Sequence, residues 1–186
     1  MLVILDRDGV INEDSDDYIK TPQEWIPIKN SLEAIATLNH AGHIVVVATN
    51  QSGIARGLYS ESDMHKIHEV MKQELAKVKG HLDGIFYCPH HPDDHCDCRK
   101  PKPGLLLQIS RQFKTNFKDA LLIGDAMRDI ECAHAVNCPA VLVKTGKGAR
   151  TFVEHHQNLT IPIFEDLADA VAHIYKNKHK KHGTNS

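Results

Sequence analysis

Aromatic residues make up only 5% of the 186-residue chain, with a single tryptophan. A groove that stacks nucleic-acid bases needs aromatic faces interleaved with cations, and no such pattern is present. No apolar run approaches the roughly 20 residues of a membrane-spanning helix. The opening Met1–Leu5 is apolar but runs straight into Asp6-Arg7-Asp8, with no basic n-region and no small-residue cleavage site, so no signal peptide is expected. The formal net charge of -2 gives the body no general pull toward nucleic acid or membrane. Neither an internal repeat nor a P-loop is found; Thr145-Gly146-Lys147-Gly148 does not have the required spacing and reads as a turn bordering a site. A cytoplasmic protein without nucleic-acid or membrane partners is expected.

The composition, 41% hydrophobic and 25% charged, is that of an ordinary globular protein. The length suits one domain, expected over 1–175, followed by a basic, disordered tail over 176–186. Short β-branched runs alternate with helical spacing. Strands are expected at 2–5, 44–48, 84–87, 120–123 and 140–143, with a short edge strand near 161–164. Helices are expected at 31–40, from a Ser60 cap toward Gly80, after Pro103, at 127–137 and around Leu167–Ile174. This alternation predicts an α/β fold, a Rossmann-like and mostly parallel sheet with helices on both faces. In such sheets ligands bind beyond the carboxyl ends of the strands.

The polar motifs stand at those ends. Asp6 and Asp8 follow the first strand; two acids at the mouth of a buried strand repel unless a cation or proton lies between them. Magnesium is such a cation, preferring oxygen ligands. Gly9 lets the chain turn sharply after the pair. Thr49-Asn50-Gln51-Ser52-Gly53 follows the second strand and offers hydroxyl, amide and turn donors suited to a phosphate. Gly124-Asp125 follows the fourth, with Asp129 one turn later. Any one of these is as readily a capping acid or a turn; three at one edge of one sheet indicate a site.

Five cysteines are present, at 88, 96, 98, 132 and 138. Cys88, His90, Cys96 and Cys98 form a closed C-x-H…C-x-C set, which points to structural zinc with no open position. Cys132 and Cys138 read as small buried hydrophobes, and His65 and His68 as exposed or satisfied helix residues.

Together these residues resemble the haloacid dehalogenase-like phosphatases, from Leu2 to about Gly148. Asp-Arg-Asp-Gly-Val-Ile-Asn (6–12), Thr-Asn-Gln-Ser-Gly-Ile-Ala-Arg-Gly (49–57), Arg-Lys-Pro-Lys-Pro-Gly (99–104) and Gly-Asp-Ala-Met-Arg-Asp (124–129) look like that family's four motifs. The long second motif and the cysteine loop are similar to a small branch that removes the 7-phosphate of a heptose 1,7-bisphosphate, on the route to a nucleotide-activated heptose and lipopolysaccharide. A near relative of that branch acts on histidinol phosphate instead.

The resemblance implies no large cap domain, with at most a small flap between Asn12 and Ser31. It implies that Asp6 attacks phosphorus and that Asp8 serves as acid and then base. Thr49, Asn50, Gln51 and Ser52 would bind phosphate or substrate, Lys100 would add a positive charge, and Arg99 would clamp a second phosphate. Magnesium would be held by Asp6, Asp125 and the Asp8 main-chain carbonyl, and the zinc ligands would be Cys88, His90, Cys96 and Cys98. A monomer acting on a small sugar phosphate is expected. The branch often carries lysine directly after the fourth-motif aspartate, where this chain has Ala126. A reading of a different class, a zinc-knuckle nucleic-acid-binding module, leaves Asp6, Asp8, Thr49 and Asp125 unexplained.

Overall fold

A computed structural model describes residues 1–157 and 159–182, with side chains through Tyr175. Among these residues six strands form one sheet: β1 (Leu2–Leu5), β2 (Ile44–Asn50), β3 (Gly84–Cys88), β4 (Ala120–Gly124), β5 (Ala140–Val143) and β6 (Ile163–Phe164). Their order is β3-β2-β1-β4-β5-β6, and every pairing is parallel.

Among the described residues, six α-helices cover the sheet: α1 (Ser31–His40), α2 (Glu61–Lys77), α3 (Gly104–Phe113), α4 (Met127–His134), α5 (Gly148–His155) and α6 (Leu167–His182). None of the described helices is long and apolar enough to cross a membrane.

The strands read as unbroken apolar runs because both faces are covered. Along β1, Val3 and Leu5 enter a core shared with Ile35, Leu38, Ile67 and Met71 of α1 and α2. Leu2 and Ile4 face the other way, toward Leu105, Leu106, Ile109 and Ile130 of α3 and α4. The expected Ser60 cap is present as a capping box: the Ser60 hydroxyl accepts from the Asp63 amide, and the Asp63 carboxylate accepts from the Ser60 amide. At the sheet edge Pro162 contributes its carbonyl to the Leu142 amide (3.1 Å) and needs no donor of its own, so a proline is tolerated there.

Strand ends shift by one or two residues, β2 for instance running on through Thr49 to Asn50, and the structure differs from the expectations further in three places. α4 stops at His134, earlier than residue 137. α5 was not anticipated; only Gly148 and Thr151 of its 8 residues are buried, and Val153 is 70% exposed. The third concerns the tail expected to be disordered over 176–186. α6 continues to His182, because lysine is a good helix former and no glycine or proline occurs between 167 and 182. Residues 183–186 of that stretch lie outside the described residues.

The strand order reverses between β2 and β5 around the adjacent pair β1 and β4. In a doubly wound sheet this switch point opens a crevice at the carboxyl ends of the strands. Asp6 and Asp125 are the residues that leave β1 and β4 there, and the Asp6 amide still donates to the Ile123 carbonyl (3.0 Å). The segment from Glu13 to Asn30 folds over this edge as a small flap. It is tied down by the Glu13 amide on the Ile26 carbonyl (2.8 Å) and the Ile28 amide on the Ile11 carbonyl (2.9 Å).

Candidate active site

A polar cavity of about 260 Å³ lies at the switch point, bounded by Asp6 and Asp8, the end of β2 and the residues after it (Thr49 to Ser52), the flap, and the side chains of Arg99, Arg128 and Lys147. Asp6 is almost fully buried, at 3% exposure. Its Oδ1 accepts from the Arg7 amide (2.8 Å) and lies 3.1 Å from Lys100 Nζ. Burial pushes the Asp6 pKa up, with Lys100 pulling against it and Asp129 adding to the rise.

Lys100 reaches in from the cysteine loop and is fully engaged. Its Nζ donates to the Ala48 carbonyl (2.7 Å) and stands 2.6 Å from Asp129 Oδ1 as well as against Asp6. Burial alone would lower the Lys100 pKa, yet the Asp129 and Asp6 carboxylates hold it above the ordinary value. Asp129 also caps its own helix, its Oδ2 accepting from the Ala126 amide (3.1 Å).

Asp8 is held quite differently. Arg7 Nε and Nη2 both donate to its Oδ1 (3.0 and 2.9 Å), Nη2 also reaches Oδ2 (3.0 Å), and Asn12 and Gln51 amides donate to it at 2.9 Å. Burial works to raise the Asp8 pKa, but the Arg7 charge and these donors outweigh it and hold the carboxyl low. Gln51 extends the frame: its Oε1 accepts from Tyr59 (2.6 Å) and Arg7 (3.2 Å), and its Nε2 also donates to Thr49 Oγ1 (2.9 Å). Arg7 Nη1 ends against His68 Nε2 at 3.3 Å. His68 is therefore a satisfied buried residue, and His65 packs edge-on to Tyr87.

Asn50 spans to the cysteine loop, its Nδ2 donating to the Lys100 carbonyl (3.0 Å) and its Oδ1 accepting from the Lys100 amide (3.1 Å). The Asn50 side chain therefore ties down Lys100, although Asn50 also borders the cavity with Thr49, Gln51 and Ser52.

Asp125 is wholly buried. Its Oδ2 accepts from the Lys147 amide (2.7 Å), while its Oδ1 has no hydrogen-bond partner. Burial, with Asp6 and Asp129 nearby, pushes its pKa up to about 8. Carboxylate oxygens of Asp6, Asp125 and Asp129 lie within 4.8 Å of one another. Lys100 neutralises Asp129, so an orphaned oxygen of Asp125 beside Asp6 is what a hard divalent cation fits. Gly9, at φ +84°, and Gly146, at φ +56°, make this approach possible, since a Cβ on either would strike Asp125 Oδ2.

At the end of β3, the Cys88, His90, Cys96 and Cys98 donor atoms also lie within 4.8 Å of one another. The Cys88–Cys98 and His90–Cys98 separations are 3.1 and 3.2 Å, and the Cys88–Cys96 and Cys96–Cys98 separations are each 3.6 Å. A tetrahedron with Zn–S bonds of about 2.3 Å has edges of roughly 3.7 Å, so the donor set fits structural zinc. No disulfide is formed among the five cysteines. Cys132 and Cys138 are buried, as expected for small hydrophobes.

Four features were not foreseen from sequence: the Arg7 clamp, the Asp129–Lys100 pair, the nearness of Arg128 to Asp6, and the Lys147–Asp14 ion pair (3.0 Å) that joins the flap to the α5 loop. One signal was available for Arg7. An arginine flanked by the apolar Val3–Leu5 run and Val10-Ile11 is placed to be buried, and a buried arginine needs a carboxylate.

The sequence profile of the HAD-hydrolase-like family matches residues 97–170. The chain belongs to the haloacid dehalogenase-like phosphatases and hydrolyses phosphate monoesters. Within that family it is 54% identical over 167 residues to the D-glycero-beta-D-manno-heptose-1,7-bisphosphate 7-phosphatase of Pseudomonas aeruginosa, covering 90% of this chain and 93% of that one. The enzyme of the same name from Bordetella bronchiseptica is 46% identical over 167 residues, covering 90% and 93%. A crystal structure of the B. bronchiseptica D,D-heptose 1,7-bisphosphate phosphatase with magnesium and phosphate superimposes with a TM-score of 0.92 at 43% identity, covering 95% of this chain and 98% of that one. The all-parallel Rossmann-like sheet without a large cap agrees with the expected fold.

Proposed function

We propose that this phosphatase removes the 7-phosphate of D-glycero-β-D-manno-heptose 1,7-bisphosphate, leaving the 1-phosphate for the steps that build a nucleotide-activated heptose for lipopolysaccharide. The observation that carries the reading is the convergence of Asp6, Asp8, Asp125 and Lys100 at one switch point, in a chain this similar to enzymes of that name.

Asp6 attacks phosphorus; its oxygen forms the new P–O bond as the bond from phosphorus to the sugar O7 breaks. Asp8 passes a proton to the departing O7, which requires the carboxyl to be protonated as the substrate enters, since the Arg7 clamp holds it ionised in the free protein. It then takes a proton from the water that attacks the aspartyl-phosphate, releasing inorganic phosphate and restoring Asp6. Arg7, Asn12 and Gln51 fix the Asp8 carboxyl, so both transfers start from one geometry. Thr49 and Asn50 at the end of β2, with Gln51 and Ser52 after it, face the phosphoryl group, and Lys100 holds Asp6 from behind.

Magnesium would be held by Asp6, Asp125 and the Asp8 carbonyl, and when bound supplies charge neutralisation at the phosphoryl oxygens. Zinc on Cys88, His90, Cys96 and Cys98 would anchor the loop that continues directly into Arg99 and Lys100, whose place phosphoryl transfer depends on. Arg99, at the cavity wall with Nη1 unpartnered, is suited to the retained phosphate. The protein is read as a cytoplasmic monomer with a single domain over 1–175 and no nucleic-acid or membrane partner.

The test is phosphate release with magnesium from heptose 1,7-bisphosphate, histidinol phosphate and fructose 1,6-bisphosphate, alongside Asp6→Asn. Fast release from the heptose bisphosphate, abolished in Asp6→Asn, is expected. Preference for histidinol phosphate overturns the substrate, and turnover surviving in Asp6→Asn overturns the mechanism.

A further inference from the structure

Of the cations around the reaction centre, most are already committed. Lys100 is enclosed by Asp6, Asp129 and the Ala48 carbonyl. Arg7 is spent on Asp8, Gln51 and His68, and Lys147 Nζ pairs with Asp14. Arg99, at the cavity wall, and Arg128 are the exceptions, and Arg128 is the one that stands beside Asp6. Its Nη2 lies 3.7 Å from Asp6 Oδ2 and 3.9 Å from Asp125 Oδ1, too far for hydrogen bonds. Its Nε is buried with no partner, and the side chain, 32% exposed, borders the cavity. Two carboxylates thus hold the guanidinium in place electrostatically while leaving its donors free.

We propose that Arg128 is a further catalytic residue of this phosphatase, binding a non-bridging oxygen of the transferring phosphoryl group beside the Asp6 oxygen that Lys100 does not reach. The inference rests on the reading of Asp6 as nucleophile. An attacking oxygen approaches phosphorus from about 3–3.5 Å, so the equatorial oxygens of that group fall within reach of a guanidinium already 3.7 Å from the carboxylate. The planar fork binds phosphate bidentately and carries its charge at every working pH. Its mounting is rigid: Arg128 sits in the first turn of α4, immediately before the Asp129 cap and the buried Ile130. That nearness to Asp6 assigns it to the transferring group and not to the phosphate the sugar retains.

The experiment compares Arg128→Met and Arg128→Lys with the full-length wild type. Steady-state kinetics use heptose 1,7-bisphosphate and p-nitrophenyl phosphate, inhibition is measured with orthovanadate, and magnesium binding by calorimetry. Arg128→Met is expected to lower kcat about 10²–10³-fold on both substrates, the scale of losing one transition-state donor. It should weaken vanadate by a similar factor, leave magnesium affinity within about threefold, and be partly rescued in Arg128→Lys. A loss confined to the bisphosphate places Arg128 on the retained phosphate and overturns the proposal. Unchanged vanadate affinity, or a loss explained by weaker magnesium binding, assigns it a structural part and overturns the proposal equally. Activity surviving in Asp6→Asn is a separate failure, of the nucleophile reading itself.

Discussion

Replacing Lys100 by methionine keeps the length of the side chain and removes its charge from a site almost closed to solvent. Lys100 is 1% exposed in its side chain, and its partners Asp6 and Asp129 are 3% and 0% exposed. Removing one partner of a buried ion pair typically costs about 3–5 kcal/mol, because the remaining charge is left uncompensated. Here two carboxylates are stranded, so the upper part of that range is expected in magnesium-free buffer. For a chain of this length that is a fall in Tm on the order of 10 °C or more. The control is Lys66→Met. Lys66 also pairs with an aspartate at 2.9 Å, but its side chain is 63% exposed, and such pairs contribute about 0–1 kcal/mol.

Adding Asp129→Asn to Lys100→Met removes one of the stranded charges. The double variant should be more stable than the sum of the two single losses predicts, which a double-mutant cycle measures. It should remain inactive, since Asp6 has lost the cation that holds it. Thermal and urea unfolding followed by circular dichroism supply the stabilities, and phosphate release supplies the activity. If Lys100→Met costs no more than Lys66→Met, the buried triad is not an energetic unit and the reasoning fails.

Gly9→Ala meets two obstacles, a backbone at φ +84° and a Cβ that would collide with Asp125 Oδ2; activity should fall at least tenfold and magnesium should bind more weakly, read by titrating phosphate release against the metal. Cys98→Ser opens the four-donor set; bound zinc measured by elemental analysis should drop, Tm should fall, and kcat should decline with it because the loop carries Arg99 and Lys100. His68 is 3% exposed, and burial, with help from Arg7 and His65, lowers its pKa to about 3. Below the unfolded value of about 6.5 only the unfolded chain takes up the proton, so stability falls as pH drops, by about 2 kcal/mol at pH 5 relative to neutral pH. His68→Gln removes this contribution, and urea unfolding at pH 7.5 and pH 5 should show the variant gaining on the wild type by that amount; an unchanged gap would mean His68 is not buried neutral.

The parallel sheet was readable in the sequence because strands buried on both faces leave unbroken apolar runs, such as Leu2–Leu5 and Ala140–Val143, with a polar residue marking where each emerges. The same logic exposed Asp6, Asp8, Thr49 and Asp125, and compact spacing exposed Cys88, His90, Cys96 and Cys98. α5 was not anticipated, since a helix of 8 residues that buries only Gly148 and Thr151 offers few apolar positions to read. Nor could sequence say that Asn50 would spend its side chain on the Lys100 backbone, or that Arg7 would turn onto its neighbour Asp8. Local pattern records how a segment is buried and where it ends. Which charge meets which across the switch point depends on strand order, and strand order is a property of the assembled sheet. Only there do Asp6, Lys100, Asp125 and Asp129 come together from β1, the cysteine loop, the end of β4 and α4, and only there is Arg128 left beside the nucleophile with its hydrogen bonds unmade.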